Sequence, residues 1–122
     1  MKILIIDDED DIRRISRLAL GRVGGMDVVD ASSGMEGIAR AVADAPDAIL
    51  LDVMMPEKDG PETLGLLKAD PRTAHIPVIF LTAKAMASEV DRLRGLGAKG
   101  VLTKPFDPMS LAANVRAILG PE

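Results

Sequence analysis

Ile49-Leu50-Leu51-Asp52-Val53-Met54-Met55-Pro56 is the stretch that decides how this chain folds. Three aliphatic residues, one carboxylate and a turn closed by proline describe a strand buried on both faces that delivers an acid to its exposed end. Ile3 to Ile6 repeats the design and ends at Asp7-Asp8, and Val78 to Leu81 repeats it again, ending at Thr82. Val28-Val29 and Val101-Leu102 are shorter apolar pairs, the second running into Thr103-Lys104-Pro105.

Between these runs the apolar spacing changes to that of helices. Ile12, Ile15, Ala19 and Val23 are spaced for one face of a first helix, with Arg13, Arg14 and Arg17 on a solvated face and Gly24-Gly25 as the stop. Ser33-Gly34-Met35-Glu36 has the form of a capping box, and Met35, Ile38, Ala39 and Val42 form the apolar face of the second helix. Asp59-Gly60-Pro61-Glu62 opens the third, with Leu64 and Leu67 inward. A fourth helix begins somewhere in Ala85 to Ser88, carries Val90, Leu93 and Leu96, and ends at Gly97. Asp107-Pro108 caps the fifth, with Leu111, Val115 and Ile118 inward and Gly120-Pro121 closing it.

Five strands alternating with five helices imply an α/β fold, a parallel sheet covered on both faces. The two short strands are the expected edges. That fits the order 2-1-3-4-5, the flavodoxin-like variant of the doubly wound fold.

The bulk numbers set limits. At 122 residues, 48% hydrophobic and 28% charged, residues 1–122 are expected to form a single domain. A net charge of -4 argues against non-specific binding to nucleic acid or membranes. Without cysteine there is no disulfide framework, thiolate chemistry or zinc ribbon, and one histidine excludes a His-rich metal centre. The apolar run at the N-terminus is too short for a signal peptide, and none is long enough to span a membrane. The expected location is cytoplasmic.

In an open parallel sheet, ligands bind beyond the carboxyl ends of the strands. Asp7, Asp8, Asp52, Thr82 and Lys104 all fall there, although they are scattered along the sequence. Three carboxylates so close together need a cation, since their repulsion would otherwise force protons onto them. Hard oxygen ligands with room for water suit Mg2+, with Mn2+ able to substitute. A cation beside Asp52 and the ammonium of Lys104 opposite can neutralise the oxygens of an incoming phosphoryl group. Asp52 is then the nucleophile, forming an acyl phosphate, and Thr82 donates a hydrogen bond to the arriving oxygens.

Each residue also has a plainer reading. The acids from Asp7 to Asp11 suit the first turn of a helix, Asp52 an Asx-turn, Thr82 a strand end and Lys104-Pro105 a surface turn. Taken one at a time, those readings are favoured. Together they do poorly, because the right chemical types occur at four strand ends on one edge of the sheet. His75 reads as surface, and Met54 and Met55 read as core filler rather than site wall.

The constellation resembles the receiver domain of bacterial two-component response regulators over essentially the whole chain. The motifs are Ile5-Ile6-Asp7-Asp8-Glu9, Leu50-Leu51-Asp52-Val53-Met54-Met55-Pro56 with Asp59-Gly60, Leu81-Thr82-Ala83, and Thr103-Lys104-Pro105-Phe106. The resemblance implies that Asp52 accepts a phosphoryl group from the histidine of a sensor kinase or a phosphotransfer protein. It implies that Asp8, Asp52 and the backbone carbonyl of Met54 bind Mg2+, with Asp7 acting through a metal-bound water. It also implies that Thr82 and Lys104 engage the phosphoryl group, that Lys104-Pro105 is a cis peptide, and that the face of helix four, strand five and helix five meets a downstream protein. Such a domain is a phosphoacceptor switch rather than an enzyme, a monomer or an activation-dependent dimer, acting by protein contact without touching nucleic acid itself.

One feature departs from the family. Many receivers carry an aromatic residue or histidine three positions before the lysine, where this chain has Val101. Output is therefore expected to depend on displacement of the loop from Thr82 to Ser88, with Val101 passive. Met54 and Lys84 sit two residues after Asp52 and Thr82, positions that flank the phosphoryl group in relatives.

Three other classes compete with this reading. An aspartyl-phosphate phosphatase places an acid two residues after its nucleophile; Glu9 meets that spacing from Asp7, but Met54 does not from Asp52. A nucleotide or flavin binder calls for a glycine-rich turn after the first strand, where this chain has five acids. A degenerate receiver serving only as an interaction module would not need all five site residues.

Overall fold

The apolar runs pair into one parallel sheet in a computed structural model that describes residues 1–84 and 86–120. The elements are β1 (Lys2–Ile6), α1 (Asp10–Arg17), β2 (Asp27–Ala31), α2 (Gly34–Asp44), β3 (Ala48–Asp52), α3 (Gly60–Ala69), β4 (Val78–Thr82), α4 (Ala87–Gly95), β5 (Gly100–Thr103) and α5 (Leu111–Leu119). The strand order is β2-β1-β3-β4-β5, as expected, with the two weakly apolar strands at the edges.

Alternation along each strand divides the interior in two. Leu4 and Ile6 join Ile49, Leu51, Val78 and Phe80 under α2, α3 and α4, where Ala41, Leu64, Leu67 and Leu93 close the layer. Ile3 and Ile5 join Leu50, Ile79 and Leu81 on the other face, against Ala19 and Leu20 from the first helical stretch and Leu111 and Val115 from α5. All five residues of β3 and of β4 are buried, which is why they read as unbroken apolar runs.

The helices differ from the spacing at several points. Ser16, Ala19 and Leu20 face inward in place of Ile15 and Val23, which are 38% and 49% exposed. After Arg17 the helix widens into a π segment, Leu18–Val23, and the amide of Gly24 reaches back five residues to the carbonyl of Ala19. The extra residue in that turn rotates Val23 outward.

On α2 the inward residues are Gly34, Gly37 and Ala41, and Met35 is exposed. A Cβ on Gly37 would stand 2.4 Å from Cδ1 of Ile6, so the helix approaches the sheet too closely for anything larger to face it. Leu96 is also exposed, leaving Leu93 as the buried residue of α4.

The helix starts hold better. The Ser33 hydroxyl accepts from the Glu36 amide at 3.1 Å, although the Glu36 carboxylate reaches the amide of Ser32 rather than that of Ser33. Asp59 and Glu62 form a complete capping box at α3. Helix α4 begins at Ala87; Ala85, included in the expected start, and Pro121, in the expected stop of α5, lie outside the described residues. Asp107 does not cap α5 directly. Its carboxylate accepts from the Met109 amide and its carbonyl from Ser110 and Leu111, holding the turn that leads into the helix.

Candidate functional site

Sheet register brings the acids together. Ile6 pairs with Leu51 across β1 and β3, so Asp7 leaves its strand one step beyond the pairing and Asp52 one step beyond Leu51. Asp52 pairs with Leu81 on β4, and Thr82 pairs with Thr103 on β5, immediately before Lys104. The four strand ends that the sequence singled out therefore share one edge.

Asp7 is fully buried and both of its carboxylate oxygens are engaged. Oδ1 accepts from the Glu9 amide at 2.9 Å, and Oδ2 accepts from Lys104 Nζ at 2.8 Å. Lys104 Nζ also lies 3.1 Å from Asp52 Oδ1 and 3.6 Å from Glu9 Oε1. One ammonium thus bridges two buried carboxylates and a third at the rim. The Lys104-Pro105 bond is cis, in agreement with the expectation.

Burial pushes the Asp52 carboxyl up to about 6, and the charge of Asp7 adds to this; Lys104 and the Met54 amide pull the other way. Burial works against the Lys104 ammonium, but the hydrogen bond and charge of Asp7, with Asp52 behind, outweigh it and hold its pKa above the ordinary lysine value. Lys104 and Asp52 are therefore both charged at pH 7.

Thr82 is buried at the end of β4, and its hydroxyl accepts from the Lys84 amide at 3.0 Å. The threonine is thereby tied to its own loop, while its carbonyl receives the Lys104 amide at 2.8 Å. Behind Asp52, the Gly60 amide donates to the Val53 carbonyl, and a Cβ on Gly60 would stand 2.5 Å from the carbonyl oxygen of Asp52. Only glycine lets α3 begin that close to the acid-bearing strand.

Asp7, Asp8, Glu9 and Asp52 each offer an oxygen, and these oxygens all lie within 4.8 Å of one another. Asp8 and Glu9 are exposed, whereas Asp7 and Asp52 are buried. Four carboxylates against one ammonium leave an excess of negative charge, and the donors are all hard oxygen, so the set fits a small divalent cation.

Two participants were not expected. Glu9 belongs to the carboxylate group, and its place directly after Asp7-Asp8 is the signal that points to it. Arg13 was read as part of a solvated face. Its side chain is only 16% exposed, it donates to the Asp7 carbonyl at 2.7 Å, and it pairs with Asp10 and Asp30. Meanwhile Met54 and Met55 divide: Met55 enters the core, and Met54 is 76% exposed beside the site.

Comparison with known proteins places this geometry in a family. The family model described as the response regulator receiver domain matches residues 3–116, and the chain belongs to that family. It is 43% identical over 120 residues to a DNA-binding dual master transcriptional regulator, RpaA, of Synechocystis, covering 97% of this chain and 48% of that one. The chain thus spans about half the length of that relative. Among solved structures it resembles the chemotaxis response regulator CheY4 of Vibrio cholerae, with a TM-score of 0.89 and 29% identity over 96% of this chain and 97% of that one. A response regulator from Chloroflexus aurantiacus gives a TM-score of 0.87 with 34% identity, over 97% and 96% of the two chains.

Proposed function

We propose that Asp52 is the phosphoacceptor of a signalling switch, charged by the phosphohistidine of a sensor kinase or of a histidine phosphotransfer protein. The observation that carries this reading is the position of Asp52, a buried carboxylate at the end of β3 with Lys104 Nζ 3.1 Å away and three further carboxylates grouped beside it. At pH 7, about one unit above its pKa, roughly nine in ten copies of Asp52 are ionised and able to attack. An Asp52 carboxylate oxygen bonds to phosphorus as the phosphorus–nitrogen bond breaks, and the electron pair of that bond returns to the imidazole of the donor.

Asp8, Asp52 and the Met54 carbonyl would hold Mg2+ or Mn2+, with Asp7 reaching it through water. When bound, the cation neutralises charge on the phosphoryl oxygens. Lys104, freed from its hold on Asp52, pairs with a phosphoryl oxygen on the other side. Asp7 keeps the ammonium in place, because its own oxygens are already engaged.

The switch follows from Thr82. Its hydroxyl is tied to the Lys84 amide in the unphosphorylated chain. A phosphoryl group on Asp52 brings about -1.5 to -2 charge and strong acceptors next to that hydroxyl. Turning toward it releases Lys84 and draws the loop after β4 inward, which shifts a population at the face formed by α4, β5 and α5. That face is read as controlling a downstream protein. Val101 packs half-buried against the core and is read as passive in this step.

The phosphatase reading from Asp7 and Glu9 is disfavoured. Asp7 has no exposed surface, and neither of its oxygens is free to attack.

The deciding experiment is intact mass after incubation with acetyl phosphate, with and without Mg2+, on wild type and Asp52→Ala. A Mg2+-dependent adduct of one phosphoryl group, absent from the variant, is expected. No adduct, with Mg2+ binding shown separately, would mean an interaction module that keeps the pocket without its chemistry.

A further inference from the structure

A cleft lies at the opposite end of the sheet from Asp52. It encloses about 770 Å³ at the amino ends of the strands, below Pro77 and Lys99, and is walled by Lys68 of α3, His75 of the connection to β4 and Leu119 of α5. Five residues of strand at about 3.3 Å each put it roughly 16 Å from the acidic edge.

Its charge is opposite to that of the molecule. The chain carries -4 overall, yet among the described residues the side chains lining this cleft include the ammonium groups of Lys68 and Lys99 and the imidazole of His75 against one carboxylate, Asp47. Asp47 is already committed, accepting from the Lys2 amide at 2.8 Å. Among the described residues no carboxylate lies within 4.0 Å of Lys68, Lys99 or His75, whereas Arg13, Arg72 and Arg92 all have acidic partners.

The cationic wall is held in place. Lys68 Nζ donates to the Ala74 carbonyl at 3.2 Å, which fixes the ammonium and leaves two of its three donors unspent. Gly97, on the same wall, sits at φ +112, a backbone conformation that favours glycine. Pro77 and Leu119, both half-buried, supply apolar surface within the same cleft.

We propose that this cleft binds a small phosphate ester of mononucleotide size, with the phosphate between Lys68 and Lys99 and the organic body against Pro77 and Leu119. A bare anion would use the ammonium groups and leave most of the volume and the apolar wall unfilled. A nucleic-acid strand would be repelled by the net charge of the rest of the surface. The site shares no residue with the acidic edge, so it stands or falls independently of phosphorylation at Asp52.

The test is a titration of the full chain with adenosine monophosphate in EDTA, followed by backbone amide NMR and calorimetry. Amide shifts centred on residues 68–77 and 97–99, with a Kd of about 0.1–1 mM, are expected. Removing two charge-assisted contacts by Lys68→Gln with Lys99→Gln should weaken binding about tenfold or more, while Arg94→Gln on the outside of α4 should leave it unchanged. Lys99→Glu, an exposed change that leaves the fold intact, should do the same as the double variant. Inorganic phosphate should bind at least about tenfold more weakly than the ester. No shifts up to about 10 mM, shifts centred on Asp8 and Asp52, or undiminished binding by both Lys variants would overturn the proposal. Phosphate binding as tightly as the ester would end the claim that the cleft takes an ester.

Discussion

Lys104 Nζ stands 2.8 Å from Asp7 Oδ2 and 3.1 Å from Asp52 Oδ1, so a single ammonium ties together acids from two neighbouring strands. Without a divalent ion it is the counter-charge for both. Lys104→Met should then cost about 2–3 kcal/mol of stability in EDTA, less than a fully trapped charge costs, because Asp52 can take up a proton. Saturating Mg2+ should recover much of that loss. Urea unfolding in the two buffers checks it; an equal loss in both would mean that the lysine acts through packing alone.

Asp52 gives a pH dependence with a definite sign. Its folded pKa, about 6, lies above the ordinary aspartate value of 3.8, so across that window the native state binds the proton more tightly than the unfolded chain does. In EDTA this residue's contribution therefore makes stability fall as pH rises from 3.8 to about 6 and level off above. Asn at this position carries no charge. Asp52→Asn should be close to wild type near the bottom of the window and more stable above it, by at most about 3 kcal/mol. A variant advantage that shrinks as pH rises would rule out burial of the charged carboxylate as the cause.

Ser16 is fully buried in α1, and among the described residues its hydroxyl has no hydrogen-bond partner. Ser16→Ala removes an unsatisfied group and improves helix propensity, which should raise stability by about 1 kcal/mol. Denaturant midpoints measured at constant slope decide the matter. A clear loss would show that the hydroxyl is satisfied by buried water.

Met54, exposed two residues beyond Asp52, offers no polar group to orient a water that attacks the acyl phosphate. The phosphoryl group should therefore persist several-fold longer in wild type than in Met54→Asn. Time courses of intact mass after removal of acetyl phosphate give both lifetimes. Equal or faster loss from wild type would refute the idea.

Legibility followed the kind of signal. Asp7, Asp52, Thr82 and Lys104 could be placed from sequence because each ends a strand, and the side of a parallel sheet on which a strand ends is set by chain direction alone. The edge strands were legible for a related reason: Val28-Val29 and Val101-Leu102 are too short to be covered on both faces. Arg13 could not be read, because helical spacing shows which face it occupies but not that Asp7 and Asp30 lie within its reach. The inner face of α2 misled for another reason. Size ranks Met35 above Gly34 and Gly37, but closeness to Ile6 rewards the absence of a side chain. The widened turn at Leu18–Val23 left no apolar signature at all, and so Val23 was assigned inward.

The pairing of Ile6 with Leu51 has a consequence beyond the pocket. A slip of one residue between β1 and β3 would turn Asp7 or Asp52 to the wrong face and dismantle the acid group entirely. On the proposed function, affinity for a divalent ion would thus be a proofreading signal for the sheet. Only chains whose central strands have locked in their native alignment would answer it, and on the same proposal a population of misaligned molecules would be silent to a phosphodonor rather than wrongly responsive.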